Sequence, residues 1–338
     1  MNSPNVCVVG CGHWGKNLVR SFASLGSLYA IFDNDPACAQ ALSASFPAAK
    51  VFSTLESVLE DPEIAAVAVA TPAELHHEIA MAAIAAGKHV FVEKPLALEW
   101  EDGAAMVEAA RQRERILMVG HLLHYHPAIV RLKAMIADGT LGRVEYIYSN
   151  RLSMGKIRRE ENALWSFAPH DISVILSLVG QMPCQVIATG GAYLQPNIAD
   201  VTVSNLLFDR GTRAHIFVSW LHPYKEQRLV VIGSKQMAVF EDSRPDRKLM
   251  LFNKQIELKN GSLEAVKPEG VVVDFEGSEP LLLECRHFLE CVANQRQPRT
   301  PGEEGVQVLQ VLQACQQSLQ LNGEPVQVRQ VRQKVMAL

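Results

Sequence analysis

The stretch VCVVGCGHWGKN sets Gly10, Gly12 and Gly15 in G-x-G-x-x-G spacing directly after an apolar run. In that setting the first glycine permits a tight turn, the second lets the backbone approach a pyrophosphate, and the third lets a helix pack closely on a strand. The anion rests on the helix N-terminus, where free N–H groups and the helix dipole favour it. A bare glycine triplet says little, but one that ends a strand and opens a helix points to a dinucleotide. Asp33, in YAIFDNDP, lies at about the twenty-residue distance at which an acid binds the adenosine ribose. Its carboxylate accepts from a 2'-hydroxyl and repels a 2'-phosphate, and no Arg or Lys between Asn34 and Phe46 offsets it. NAD is therefore expected over NADP. Asp35, just before Pro36, is read as a helix N-cap.

A third stretch, HVFVEKPLAL, puts Lys94 between an acid and a proline where an apolar run stops. Proline cannot continue a ladder and biases the residue before it toward extended backbone, so a strand must break here. An isolated Lys-Pro is an ordinary surface turn, and its neighbours decide whether it is more. Short apolar runs at 6–9, 28–32, 66–70, 89–92 and 116–119 alternate with helical patterns at 16–25, 36–46, 55–59, 75–86 and 101–113. This is the pattern of a doubly wound parallel α/β sheet, a Rossmann domain over residues 1–121. Ligands in such sheets bind outside the carboxyl ends of the strands, here Thr71-Pro72, Glu93-Lys94-Pro95 and Gly120-His121. Cofactor contacts are expected from Gly10, Gly12, His13, Trp14, Gly15, Asp33, Asn34, Thr71, Pro72, His76, Glu93, Lys94 and His121.

From about Pro127 the character changes. One helix runs to Ala137, a helical segment follows at 170–178, and β-type runs recur at 143–151, 184–190, 201–208, 213–220 and 228–232. Strands without intervening helices suggest a mostly antiparallel sheet, so residues 122–338 are read as a second, α+β domain closed by helices at 280–293 and 303–321.

The 338 residues carry a net charge of -4, 48% hydrophobic and 20% charged residues. That balance describes an ordinary globular chain and argues against a broad nucleic-acid or anionic-membrane surface. No signal-like N-terminus or membrane-length apolar run is present, so the cytoplasm is expected. Seven cysteines without Cys-x-x-Cys spacing read as reduced thiols. His76, His77 and Glu78 invite a zinc reading, but Met81 stands where a zincin needs histidine, and no metal is expected.

The stretches GCGHWG, ATPAELHHEIAMAAIAAGKHVFVEKPLAL and LWSFAPHDISVIL resemble the glucose-fructose oxidoreductase, inositol dehydrogenase and rhizopine catabolism (Gfo/Idh/MocA) family across essentially the whole chain. The resemblance implies NAD(P)-dependent hydride transfer at a secondary alcohol or carbonyl of a sugar or cyclitol. It implies that Lys94 and His170 carry the proton chemistry, and that the open sheet serves a homodimer or homotetramer. Many members have an aspartate four positions before the histidine, where this chain has Ser166; Asp171 adjoins the histidine. An imidazole accepts a proton near neutral pH, so His170 is read as the base and Lys94 as the cation that stabilises a developing alkoxide, or as the base itself where burial lowers its pKa.

RLSMGKIRREENALW and GHLLHYHPAIV resemble the branch that acts on UDP-linked N-acetylated sugars. Substrate contacts are accordingly expected from His124, Tyr125, Lys156, Arg158, Arg159, Asn162, Trp165 and Ser166, with the arginines holding a diphosphate and Tyr125 stacking on a base. The expected product is a 3-keto sugar that an aminotransferase consumes. A solvated basic loop and a core tyrosine are the ordinary readings of the same residues. A free sugar or inositol dehydrogenase, a noncatalytic NAD sensor and a cofactor-assisted glycosidase also fit the fold, and retained Lys94 and His170 disfavour the sensor.

Overall fold

The computed structural model describes residues 3–155, 157–253, 256–259, 261–266 and 269–329. The chain forms two compact units, Met1–His126 with Ser278–Leu309 and Pro127–Gly277 with Gln310–Leu338.

The first unit contains β1 (Val6–Val9), α1 (Gly15–Ser24), β2 (Leu28–Phe32), α2 (Pro36–Ser43), β3 (Lys50–Val51), α3 (Leu55–Glu60), β4 (Ala66–Val69), α4 (His76–Ala85), β5 (His89–Glu93), α5 (Trp100–Gln112) and β6 (Leu117–Gly120). Its strands pair in parallel in the order β3-β2-β1-β4-β5-β6, so the order reverses between β1 and β4. Every residue of β1, β4, β5 and β6 is buried, as a sheet covered on both faces requires. Asp35 caps α2 by accepting from the Ala37 N–H at 3.0 Å, with Pro36 at the first helical position.

In the second unit α6 (Pro127–Ala137), β7 (Val144–Met154), α7 (Ala163–Val179), β8 (Gln185–Gly191), β9 (Val201–Leu207), β10 (Arg213–Ser219), β11 (Leu221–Gly233), β12 (Gln236–Glu241), β13 (Leu249–Asn253), β14 (Ile256–Lys259), β15 (Ser262–Ala265) and β16 (Gly270–Val272) follow in turn. The chain then forms α8 (Pro280–Asn294), which belongs to the first unit, α9 (Gly302–Gln320) and β17 (Val326–Gln327). Among the described residues β7 to β13, β16 and β17 make one nine-stranded sheet, in the order β16-β13-β12-β11-β7-β10-β9-β8-β17. Only the β7–β10 pair is parallel among its described pairings. Helix α7 packs across β7, β9 and β10.

Two features depart from the sequence expectation. The first unit does not end near residue 121, because α8 buries Leu281, Cys285, Phe288 and Val292 in the core under α1. Phe288 meets Phe22 and Phe91 edge to face, with ring centroids 6.4 and 5.7 Å apart. And α7 starts at Ala163, two turns before the predicted helix, although it contains Pro169. Asn162 caps it by accepting from the Trp165 N–H, and buried Ala163, Leu164 and Ala168 seat the early turns in the core. That packing offsets the hydrogen bond the proline removes.

Candidate active site

The turn after β1 has the geometry of a phosphate cradle. Gly10 has φ +97°, and a Cβ on Gly15 would lie 1.9 Å from the Gly10 carbonyl oxygen, so neither position accepts a side chain. A Cβ on Gly12 would meet nothing within 4 Å, which leaves open space beside the backbone where a pyrophosphate has to approach. Asp33, at the end of β2, accepts from the Cys11 N–H at 2.6 Å through one oxygen and from the Asp35 N–H at 2.9 Å through the other. These bonds aim a carboxylate beside the glycine turn while leaving lone pairs for a ribose diol. At the ends of β4 and β6, Thr71 Oγ1 and His121 Nε2 are buried with no hydrogen-bond partner among the described residues. The residues present therefore fit a dinucleotide.

The Lys94 turn is braced from several sides. Glu93 is buried at the end of β5; one carboxyl oxygen accepts from the Trp14 indole N–H and the other from the Lys94 amide at 3.3 Å. Burial pushes the Glu93 pKa up to about 7, against the pull of Trp14, Lys94 and His121. Gly120 pairs with Glu93 across β5 and β6, and a Cβ there would come within 2.9 Å of the carboxyl. His121 contacts the Glu304 carboxylate at the start of α9 through Nδ1. The Lys94-Pro95 bond is cis.

In the second unit His170 sits one turn after Ser166 on α7, and Ser166 is buried. The adjacent Asp171 does not substitute for the aspartate that many family members carry. It is buried facing β7, where it accepts from Arg151 Nε at 2.7 Å, Arg151 Nη2 at 3.1 Å and Ser149 Oγ at 2.6 Å. Arg151 and Ser149 hold that carboxylate toward β7.

Several expected contacts are placed otherwise. Trp14, at 38% exposure, and His13 and Asn34 stand exposed near the cradle, as a ligand contact requires, with Pro72 exposed after β4. His76 is buried, and both ring nitrogens face backbone carbonyls. Tyr125 is a core residue: its hydroxyl pairs with Thr300 Oγ1 at 3.1 Å, Arg299 lies over its ring, and burial raises its pKa. It has no face for a base. His124 is buried, its carbonyl accepting from Arg299. Asn162 and Trp165 both donate to Gln316 Oε1, which makes them braces of α7. Arg158 pairs with Glu161 at 3.1 Å and Arg159 is exposed; Lys156 lies outside the described residues.

Sequence reading missed Glu304 and Glu284. Glu304 lies 183 positions from the histidine it contacts, and Glu284 is an acid in an otherwise apolar helical stripe, buried with neither oxygen hydrogen-bonded among the described residues. An acid at a core-facing helical position was the available signal. Among the described residues no group of three or more His, Cys, Asp or Glu side chains is placed to hold a metal ion, and no helix is long and apolar enough to cross a membrane.

Residues 4–121 match the model of the oxidoreductase family, NAD-binding Rossmann fold, and residues 129–239 match that of the GFO/IDH/MocA C-terminal domain. UDP-N-acetylglucosamine 3-dehydrogenase of Acidithiobacillus ferrooxidans is 28% identical over 305 residues, 89% of this chain and 92% of the relative. Its solved structure superposes with a TM-score of 0.85 at 24% identity, covering 95% of this chain and 99% of that one. The scyllo-inositol 2-dehydrogenase (NAD(+)) of Bacillus subtilis is 27% identical over 95% of both chains. Levoglucosan dehydrogenase, solved in complex with NADH and levoglucosan, has a TM-score of 0.84 at 23% identity, covering 97% of this chain and all of that one.

Proposed function

The chain belongs to the Gfo/Idh/MocA family of NAD-dependent sugar and polyol dehydrogenases, and from that premise we propose that it oxidises UDP-N-acetylglucosamine at C3 to the 3-keto sugar. The observation that carries the choice of sugar is the similarity, over nine-tenths of each chain, to a relative named for that reaction. When bound, NAD supplies the nicotinamide that accepts the hydride. Lys94, whose backbone is held by Glu93 and Pro95, presents the cation that stabilises negative charge on the substrate oxygen. His170 accepts the hydroxyl proton. Asp171, next in sequence, is committed to Arg151. Asp33 selects NAD by holding the ribose diol. Arg159 and Arg158 bind the diphosphate, with Arg158 exchanging Glu161 for phosphate.

In this reading the enzyme is a cytoplasmic homodimer or homotetramer, and an aminotransferase consumes its product. A polyol substrate is the second reading, favoured by the inositol dehydrogenase match over 95% of both chains. Mass spectrometry separates the two: purified protein, NAD, a panel of UDP-sugars and free polyols, and a trapping amine to pull the keto product forward. A loss of two hydrogens confined to UDP-N-acetylglucosamine, mapped to C3 by deuterium, supports the first reading; the same loss from inositol alone replaces it with the second.

A further inference from the structure

His76, at 1% exposure, opens α4, and its ring is bracketed by two backbone carbonyls. Nδ1 lies 2.7 Å from the Pro95 oxygen and Nε2 lies 3.0 Å from the Thr71 oxygen. Those oxygens belong to the turns that follow β5 and β4, so one side chain spans two of the loops at the carboxyl edge of the sheet. A carbonyl only accepts. The neutral imidazole therefore donates to one of the two and turns a lone pair on the other, whereas the imidazolium donates to both.

We propose that His76 is a positioning residue that ties the Thr71 turn to the Pro95 turn and so fixes the backbone from which Lys94 projects, the second tie forming when the ring gains its second proton. The link from this tie to turnover rests on Lys94 acting at the substrate hydroxyl. Lys94 faces the ring from the β5 turn and Glu74 from the turn before α4. Burial holds the His76 pKa below its ordinary 6.5; the two carbonyls oppose that, Lys94 adds to it, and Glu74 opposes it. The neutral ring is bonded to one of the two turns, and in acid the second proton adds the bond to the other. With a carbonyl at each ring nitrogen, neither nitrogen is turned toward a cofactor, which separates this role from a hydrogen bond to the dinucleotide.

The test reads Lys94 directly. Lysines are labelled by reductive 13C-methylation, the Lys94 signal is assigned by its loss in Lys94→Arg, and spectra are followed from about pH 5 to about pH 9. The wild-type Lys94 signal is expected to carry an inflection below pH 6.5 that vanishes in His76→Gln, while the other lysine signals overlay. In the same variant, single-turnover hydride transfer falls at least about tenfold while the Kd for NAD stays within about twofold. A Lys94 signal that titrates identically with and without His76 overturns the proposal, as does an NAD affinity that falls as far as hydride transfer. If His76→Gln does not fold, 15N spectra of the wild-type imidazole decide: a ring that keeps one neutral tautomer down to about pH 5 refutes the two-tie clamp. If no sugar supports turnover yet the Lys94 inflection depends on His76, the substrate assignment fails and the tie stands.

Discussion

Glu93→Gln should gain stability relative to wild type as the pH rises, even though it alters a residue at the centre of the candidate site. Glu93 is buried, and burial lifts its pKa from the ordinary 4.5 to about 7. The folded state thus holds its proton more tightly than the unfolded chain does. Stability from that proton is fully present below pH 4.5 and is lost as pH rises through about 7. The gap corresponds to about 3 kcal/mol, the cost of ionising this group in its pocket. A glutamine has nothing to ionise. Its amide oxygen still accepts from Trp14, and whatever its NH2 costs against the Lys94 amide is the same at every pH. Burial, and after it the Glu93 charge, raise the pKa of the neighbouring Glu284 carboxyl. Urea melts of both proteins at about pH 5 and about pH 8 isolate the effect: the stability difference between variant and wild type should move in the variant's favour by roughly 2–3 kcal/mol between the two. Parallel pH dependences would refute the claim that Glu93 ionises inside a low-dielectric pocket, whatever the absolute stabilities.

Other outcomes follow from the same geometry. Asp33→Ala should weaken NAD by about ten- to a hundredfold, the loss of charged hydrogen bonds to a ribose, and shift the NAD-to-NADP preference; an unchanged ratio in binding titrations rejects the ribose assignment. Lys94→Ala and His170→Ala should each lower kcat by about 10²- to 10⁴-fold with little change in the Kd for NAD, and wild-type turnover in either removes that residue from the mechanism. Removing both charges at Arg158 and Arg159 should raise KM for a UDP-sugar more than for a sugar without UDP, so an equal rise argues against diphosphate binding. Asp171→Ala leaves half-buried Arg151 without the carboxylate it bonds and should cost up to about 3–5 kcal/mol in chemical denaturation; a loss under about 1 kcal/mol would mean the pair contributes little to holding α7 on β7.

The first half of the molecule was legible because its determinants are local. The glycine spacing, the acid at the end of β2 and the proline after Lys94 each constrain backbone within a few residues, and buried parallel strands announce themselves as unbroken apolar runs. The order β3-β2-β1-β4-β5-β6 then follows from right-handed crossovers and one reversal. The side-chain partners were not legible, because they come from chain distant in sequence. Trp14 reaches Glu93 across 79 positions and Glu304 reaches His121 across 183. His76, Tyr125 and His124 look like ligand contacts as residue types, and their burial is visible only in the fold. The extent of α7 had the same source: a proline and mixed polarity argue locally for a break, and an apolar face buried against β7, β9 and β10 overrides them. Residue types and spacings determined that this chain has a dinucleotide cradle and a lysine at its edge. Tertiary packing decided which polar groups stay wet enough to touch a ligand and which are desolvated into braces, since burial reverses what a carboxyl or an imidazole does without changing its identity.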